Sequence, residues 1–207
     1  MANDLAATAK QLGVKYFLIS FTDLFGVQRS KLVPAAAINE MAKIGAGFAG
    51  FATWLDMTPA DSDMFAIPDA SGLIQLPWKP EIAWLPADPW MNGAPVGHTP
   101  RNALKNLMAE SAKLGYEMKT GVECEFFLLS PDGNSISDSA DFQSKPCYDQ
   151  QALLRRSDVI MEICDAMLAL GWKPYQNDHE DANGQFEMNW NYDNALVTAD
   201  RHAFFKF

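Results

Sequence analysis

Two glutamates two residues apart, Glu123 and Glu125, interrupt the apolar run T-G-V-E-C-E-F-F-L-L at 120–129. About sixty residues later, N-D-H-E-D-A-N-G-Q-F-E-M-N-W-N-Y (177–192) supplies His179, Glu180 and Glu187. A strand sends residues i and i+2 to one face, roughly 7 Å apart, where two carboxylates repel by about 2 kcal/mol at an effective dielectric of 20. Such a face is tolerated where it meets water or where a cation sits on it. Hard cations such as Mg²⁺ or Mn²⁺ prefer oxygen ligands, and four carboxylates brought to one place would suit them. Taken singly, each glutamate reads more simply as a solvated sheet face, and His179 as an ordinary loop histidine.

The elements that must position these groups follow from periodicity. The run 120–129 reads as a buried strand, with aromatics and Val122, Cys124, Leu128 and Leu129 in the pleat. From Gln185 the chain alternates strictly. Phe186, Met188, Trp190 and Tyr192 go to one side, and Gln185, Glu187, Asn189 and Asn191 to the other. Between the two strands the sequence predicts an exposed polar loop over 131–145 and a long helix over 149–170. Leu153, Leu154, Ile160, Ile163, Cys164, Met167 and Leu168 share one face of that helix.

Upstream, a helix over 2–12 precedes a hairpin of strands at 15–23 and 27–33, turned at Gly26. A short helix at 34–43, an aromatic and glycine-rich stretch at 45–57, and short strands at 73–77 and 82–87 complete a small α+β domain. Prolines and glycines over 88–100 mark a boundary, giving domains 1–98 and 99–207. Thr99 is then expected to cap a helix with Pro100 at its first turn and a Leu104, Leu107, Met108, Leu114 stripe. Thr198 is the expected cap of a last helix. That helix starts near the end of the sequence, which reads as part of a longer protein.

Composition bounds the function. A net charge of −10 argues against nucleic acid, since no basic patch is available to neutralise phosphates. No apolar run is long enough to span a bilayer, and three cysteines without a C-x-x-C pair suggest reduced thiols in a cytoplasmic protein.

Taken jointly, G-V-E-C-E-F-F-L-L resembles the G-x-E-x-E-F-F motif of glutamine synthetases, and H-E-D-A-N-G-Q-F-E (179–187) their H-E-x-x-x-G-Q-x-E motif. F-T-D-L-F-G-V (21–27), D-S-D-M (61–64), I-P-D (67–69), L-I-Q-L-P-W (73–78) and N-A-L-V-T-A-D-R (194–201) with F-F-K (204–206) extend the resemblance to the last residue. It implies an amino-terminal β-grasp-like domain followed by the first part of an α/β catalytic barrel. It also implies a carbon–nitrogen ligase that activates the γ-carboxylate of glutamate with ATP and lets an amine attack the resulting acyl phosphate. Carried over position by position, Glu125, Glu180 and Glu187 would bind a first Mg²⁺ or Mn²⁺ and Glu123 a second. Tyr192 falls near the nucleotide, though core packing is its simpler reading. Family members assemble as rings, which implies a homo-oligomer, dodecameric by resemblance, with the first domain closing a neighbour's site through Gly45–Leu55.

One departure stands out. Where glutamine synthetases read F-D-G-S-S and carry an aspartate for ammonium, this chain has Ala49 among Phe48, Phe51, Trp54 and Leu55. Loss of the anionic partner weakens ammonium, whereas an alkylamine gains about 0.8 kcal/mol per buried carbon. The pattern resembles the branch of the family that includes glutamate–methylamine ligases, with methylamine as the expected amine. Ammonia as substrate, and a non-catalytic binding role, are the alternatives. Asp56, Asp61 and Asp63 are the carboxylates nearest the amine position in sequence.

Overall fold

The structure, a computed structural model, describes residues 4–207. Its elements run α1 (Leu5–Leu12), β1 (Tyr16–Thr22), β2 (Gln28–Pro34), α2 (Ile38–Ile44), β3 (Ala46–Phe48), β4 (Met64–Pro68), β5 (Ile74–Gln75), β6 (Ile82–Met91) and β7 (Ala94–Pro95). Then follow α3 (Pro100–Lys113), β8 (Lys119–Thr120), β9 (Glu123–Phe127), α4 (Gln150–Arg155), α5 (Ser157–Ala169), β10 (Pro174–His179), β11 (Gln185–Trp190), β12 (Asp193–Asn194) and α6 (Ala195–Phe205). The expected first helix agrees with α1 from Leu5 onward, while Ala2 and Asn3 lie outside the described residues. The architecture is α+β, as the sequence predicts.

Packing divides the chain into two compact units: residues up to Met118 together with Asn194–Phe207, and Lys119–Asp193. In the first unit a mixed sheet runs β2-β1-β6-β4-β3, with β1 parallel to β6 and antiparallel to β2. Alternation along β1 buries Phe17, Ile19 and Phe21, which meet Leu5 and Ala9 of α1 and Ile38 of α2 in one core. The hairpin turn is fixed by Asp23, whose carboxylate accepts from the N–H of Phe25 and Val27 and pairs with Arg29 at 2.8 Å.

Arg101 of α3 is the second fixed point of this unit. Its buried guanidinium donates to Asp88 on β6 at 2.5 Å, to Asp69 after β4 at 2.9 Å, and to Asp200 on α6 at 2.9 and 3.0 Å. Lys105 adds a contact to Asp88 at 2.5 Å. The carboxylates do not respond alike. Burial works against the charge of Asp69, but hydrogen bonds from Ser71 and Arg101 hold its pKa at about 2. Burial pushes Asp200 up, and Arg101 does not fully offset that with Asp69 and Asp88 beside it. One guanidinium faces three carboxylates, so the most deeply enclosed of them carries the uncompensated charge.

Three expectations change. Thr99 stands at the start of α3, but its hydroxyl donates to Val96 O at 2.8 Å instead of capping the helix. Leu107 and Leu114 are exposed, and the buried residue of α3 is Asn102, which donates to Pro89 O and Val96 O. The last helix begins three residues before Thr198, capped by Asn194, because the Asn194 amide oxygen reaches Leu196 N at 3.0 Å.

The second unit holds an antiparallel sheet in the order β10-β11-β9 and two helices. The predicted long helix is broken at Arg156 into α4 and α5, with Leu154 and Leu168 exposed and Ile160 and Met167 buried.

Candidate carboxylate metal site

Strand register brings the two glutamate motifs together. Glu187 on β11 stands opposite Glu125 on β9 and opposite Asp178 on β10, so three carboxylates form one row across three strands. Glu123 pairs with Asn189 in the next row on the same face. Glu180 follows the last residue of β10, its N–H donating to Gln185 O at 2.9 Å, at the mouth of the hairpin into β11.

The polar face of β11 is not a solvated one. Glu187 is 8 % exposed and Asn189 1 %, although Phe186, Met188 and Trp190 fill the opposite face. Burial pushes the Glu187 carboxyl up, and the charges of Asp178 and Glu123 and contact with Glu180 push it further, against a hydrogen bond from Asn189. Burial, Glu180 and Glu123 likewise raise Asp178. Glu187 and Asp178 therefore sit among like charges. Glu125 belongs to the row by register, but its carboxylate accepts from Gln185 Nε2 at 2.5 Å. Asn189 Nδ2 donates to Glu187 Oε1 at 2.6 Å.

The donors are all hard oxygens and the site is short of positive charge, which fits a divalent cation of the Mg²⁺ or Mn²⁺ kind. The four expected ligands are not drawn to coordination spacing. Among the described residues, the His, Cys, Asp or Glu ligand atoms that all lie within 4.8 Å of one another are those of Cys147, Glu180 and Asp181. Asp178 is the carboxylate that sequence reasoning missed. Its signal was the two-residue spacing to Glu180, hidden because 174–179 lacks the apolar alternation that marks a strand.

His179 is no loop histidine. It ends β10 fully buried, edge-on to Phe186, with Nε2 2.6 Å from Asp141 Oδ2 and Nδ1 2.9 Å from Glu180 O. Each ring nitrogen thus has an oxygen within hydrogen-bond distance, one from a side chain and one from the backbone. Asp141 comes from the segment expected to be an exposed loop. Asp138 and Asp141 are in fact buried there, and Asp138 pairs with Arg155 at 2.6 Å.

Tyr192 is 71 % exposed, so it is not core. With Gly121, Val122, Glu123, Tyr175 and Asn189 it lines an open depression of about 540 Å³. In the first unit, β3 pairs with β4 as far as Phe48–Met64, and Ala49 and Asp63 lie just outside the two strands at that end. Ala49 leads into the tight turn Gly50–Ala52, where Gly50 packs against Met57. Leu55 is buried, whereas Phe51 and Trp54 are exposed, with Trp54 resting on Phe25 at 5.1 Å. No helix among the described residues is long and apolar enough to cross a membrane.

Comparison with known proteins adds the following. Residues 97–207 match the family model described as glutamine synthetase, catalytic domain. A glutamine synthetase of Rhizobium meliloti (strain 1021) is 68 % identical over 207 residues, which are 100 % of this chain and 48 % of the relative. A glutamate–methylamine ligase of Methyloversatilis universalis is 40 % identical over 201 residues, covering 95 % of this chain and 46 % of the relative. A solved structure of a GmaS/ADP complex superposes with a TM-score of 0.96 at 66 % identity, over 98 % of this chain and 47 % of that one. The chain spans about half the length of the curated relatives it matches.

Proposed function

The chain belongs to the glutamine synthetase family, and on that footing we propose that the protein carrying it is a glutamate–amine ligase that consumes ATP, with methylamine as the amine. The observation that carries the ligase reading is the row Asp178, Glu187, Glu125, flanked by Glu123 and Glu180 and partly buried. Glu125, Glu180 and Glu187 would hold a first Mg²⁺ or Mn²⁺ and Glu123 a second. When bound, such cations offset repulsion between a triphosphate and an incoming carboxylate. The γ-carboxylate of glutamate attacks the γ-phosphorus of ATP and ADP leaves, and the neutral amine then displaces phosphate from the acyl phosphate and gives up a proton to form the amide. The residues of this chain act by placing charge. Glu187 is held ready by Asn189, Glu125 by Gln185, and the exposed ring of Tyr192 offers the depression beside Glu123 a face for the adenine.

Ala49 carries the choice of amine. No carboxylate occupies that position, and Asp63 lies just outside the pairing strand. The Methyloversatilis universalis relative, at 40 % and named a glutamate–methylamine ligase, supports methylamine. The Rhizobium meliloti relative, at 68 % and named a glutamine synthetase, supports ammonia as the second reading. A non-catalytic homologue would not need the intact carboxylates. We keep the division into domains 1–98 and 99–207, supported by a family match that begins at 97. A homo-oligomeric ring in the cytoplasm, its exposed Phe51 and Trp54 facing a neighbour, completes the reading.

The test is phosphate release by the full-length protein with glutamate, ATP, Mg²⁺ or Mn²⁺, and either amine at equal concentration. Methylamine should give the higher kcat/KM, and Ala49→Asp should shift the ratio towards ammonia. A wild-type preference for ammonia would make the protein a glutamine synthetase, and no turnover with either amine would refute the ligase reading.

A further inference from the structure

We propose that Asp141 is a positioning residue for the metal site. Its single carboxylate pins both ends of the hairpin between β10 and β11 and thereby sets where Glu180 stands relative to Glu187. The inference rests on the metal reading above.

The pinning is explicit in the contacts. Oδ2 of Asp141 accepts from His179 Nε2 at 2.6 Å, on the last residue of β10, and from the N–H of Gly184 at 2.5 Å, the residue before β11. Oδ1 accepts from Asn183 Nδ2 at 2.9 Å. The far side of the His179 ring reaches Glu180 O at 2.9 Å, so the brace extends to the backbone of the proposed ligand itself. Asp141 is 4 % exposed and His179 0 %, so water does not compete for these bonds. Hydrogen bonds from His179, Gly184 and Asn183 outweigh burial and keep the Asp141 carboxyl below its ordinary range.

The segment that delivers Asp141 is fixed independently. Asp138 pairs with Arg155, Ala140 N donates to Asp138 Oδ1 at 3.1 Å, and Arg156 donates to Ser137 O at 2.7 Å. Asp141 is therefore an anchored strut.

What the strut opposes is charge. Glu180 follows directly on β10 beside the carboxylate row of Asp178, Glu187 and Glu125, and repulsion between like charges favours its swinging outward into water. A hairpin held at His179 and at Gly184 denies it that freedom. The backbone of Glu180 is thus held beside the strand that carries Glu187, and part of the ordering that ligation demands is done by the fold.

The test uses the full-length protein, with Mn²⁺ binding followed by electron paramagnetic resonance of the free ion and urea unfolding measured in parallel. Asp141→Ala should raise the Kd for Mn²⁺ by about 10–100-fold, the usual cost of losing an outer-shell partner. Amide exchange at residues 180–184 should quicken in the same variant. Asp141→Asn keeps acceptor capacity for Gly184 and His179 and should raise the Kd only a few-fold. Glu180→Gln is the control for the premise. If Glu180→Gln loses Mn²⁺ and Asp141→Ala binds it within twofold of wild type, the positioning role is wrong. A lowered urea midpoint with an unchanged Kd overturns it equally, because Asp141 is then structural only. If Glu180→Gln binds Mn²⁺ normally, the metal reading itself fails. Should Asp141→Ala not fold, Asp141→Asn decides, and an unchanged Kd there refutes the proposal.

Discussion

Replacing Arg101 by methionine should be among the most damaging single changes to the first unit, and the size of the loss follows from what the guanidinium touches. Methionine keeps most of the side-chain volume but removes every N–H that now reaches Asp69, Asp88 and Asp200. Lys105 remains, half-exposed, near Asp88 and 3.9 Å from Asp69, and it does not touch Asp200. Removing one partner from a buried ion pair costs about 3–5 kcal/mol, because the other charge is left without compensation. At about 2–4 °C per kcal/mol for a chain of this size, the melting temperature should fall by roughly 6–20 °C at pH 7. The gap between wild type and variant must also close on acidification. In the wild type the Asp69 carboxyl is held at about 2, so its contribution is full above the unfolded value of 3.8 and is lost as pH falls through the folded one. Asp200 runs the other way. Its folded pKa is raised, so it favours the fold below the unfolded value and loses that contribution as pH rises through the folded one. Without Arg101 the carboxylates protonate more readily, so the variant regains stability as pH drops from 7 towards 4. Calorimetric melts of the full-length protein and of Arg101→Met across that range are the assay, with Lys105→Met as the control, expected to cost no more than about 1 kcal/mol. A variant that melts within 2 °C of wild type, or a gap that does not change with pH, would refute the reasoning.

Three further outcomes follow from the same geometry. Glu187→Gln should lower Mn²⁺ affinity by more than the 10–100-fold typical of outer-shell changes, yet raise the melting temperature in chelator, since it relieves the repulsion among Glu123, Asp178, Glu180 and Glu187; calorimetry with and without Mn²⁺ checks both signs. Leu55→Ala, at a fully buried position, should cost about 2–5 kcal/mol in urea unfolding, whereas Trp54→Ala next to it, being exposed, should cost under about 1 kcal/mol and show instead in sedimentation as weakened assembly. Gly184→Ala places a Cβ 2.6 Å from Ile136 Cγ2 at φ +76°, so it should destabilise by about 1–3 kcal/mol and weaken Mn²⁺ binding, with partial recovery in Gly184→Ala/Ile136→Ala.

The sequence disclosed two strands of the site, β9 and β11, because their signal is local. Strict alternation from Gln185 to Trp190 and the same-face spacing of Glu123 and Glu125 survive in the structure, and the register between them is set by burial of Phe186 and Met188. It did not disclose Asp178, Asp141 or Arg101, whose roles depend on contacts to residues far along the chain. Asp141 reads as loop because Asp138, Ser139 and Gln143 make its stretch polar, and nothing nearby shows that it will meet His179, 38 residues on. The stripe on α3 was misread for a related reason. Periodicity shows that Leu107 and Leu114 share a face but not whether anything in this span covers that face. The break at Arg156 lies within an unbroken helical pattern, and a tertiary contact from its guanidinium to Ser137 O accompanies it.

The first unit is discontinuous in sequence, and this bears on how the chain is made. Asp88 lies 13 residues from Arg101, but Asp200 lies 99 away, beyond the whole of the second unit. Phe204, whose ring packs edge-on to Trp84 at 5.7 Å and against Trp78 at 5.8 Å, arrives later still. A ribosome adding about 5–20 residues per second therefore leaves the amino-terminal sheet waiting several seconds for α6. Over that interval Arg101 has two of its three carboxylates and the indole of Trp84 lacks its aromatic cover. The second unit is translated inside the wait, so the carboxylate sheet can form while the sheet that precedes it in the gene still lacks α6.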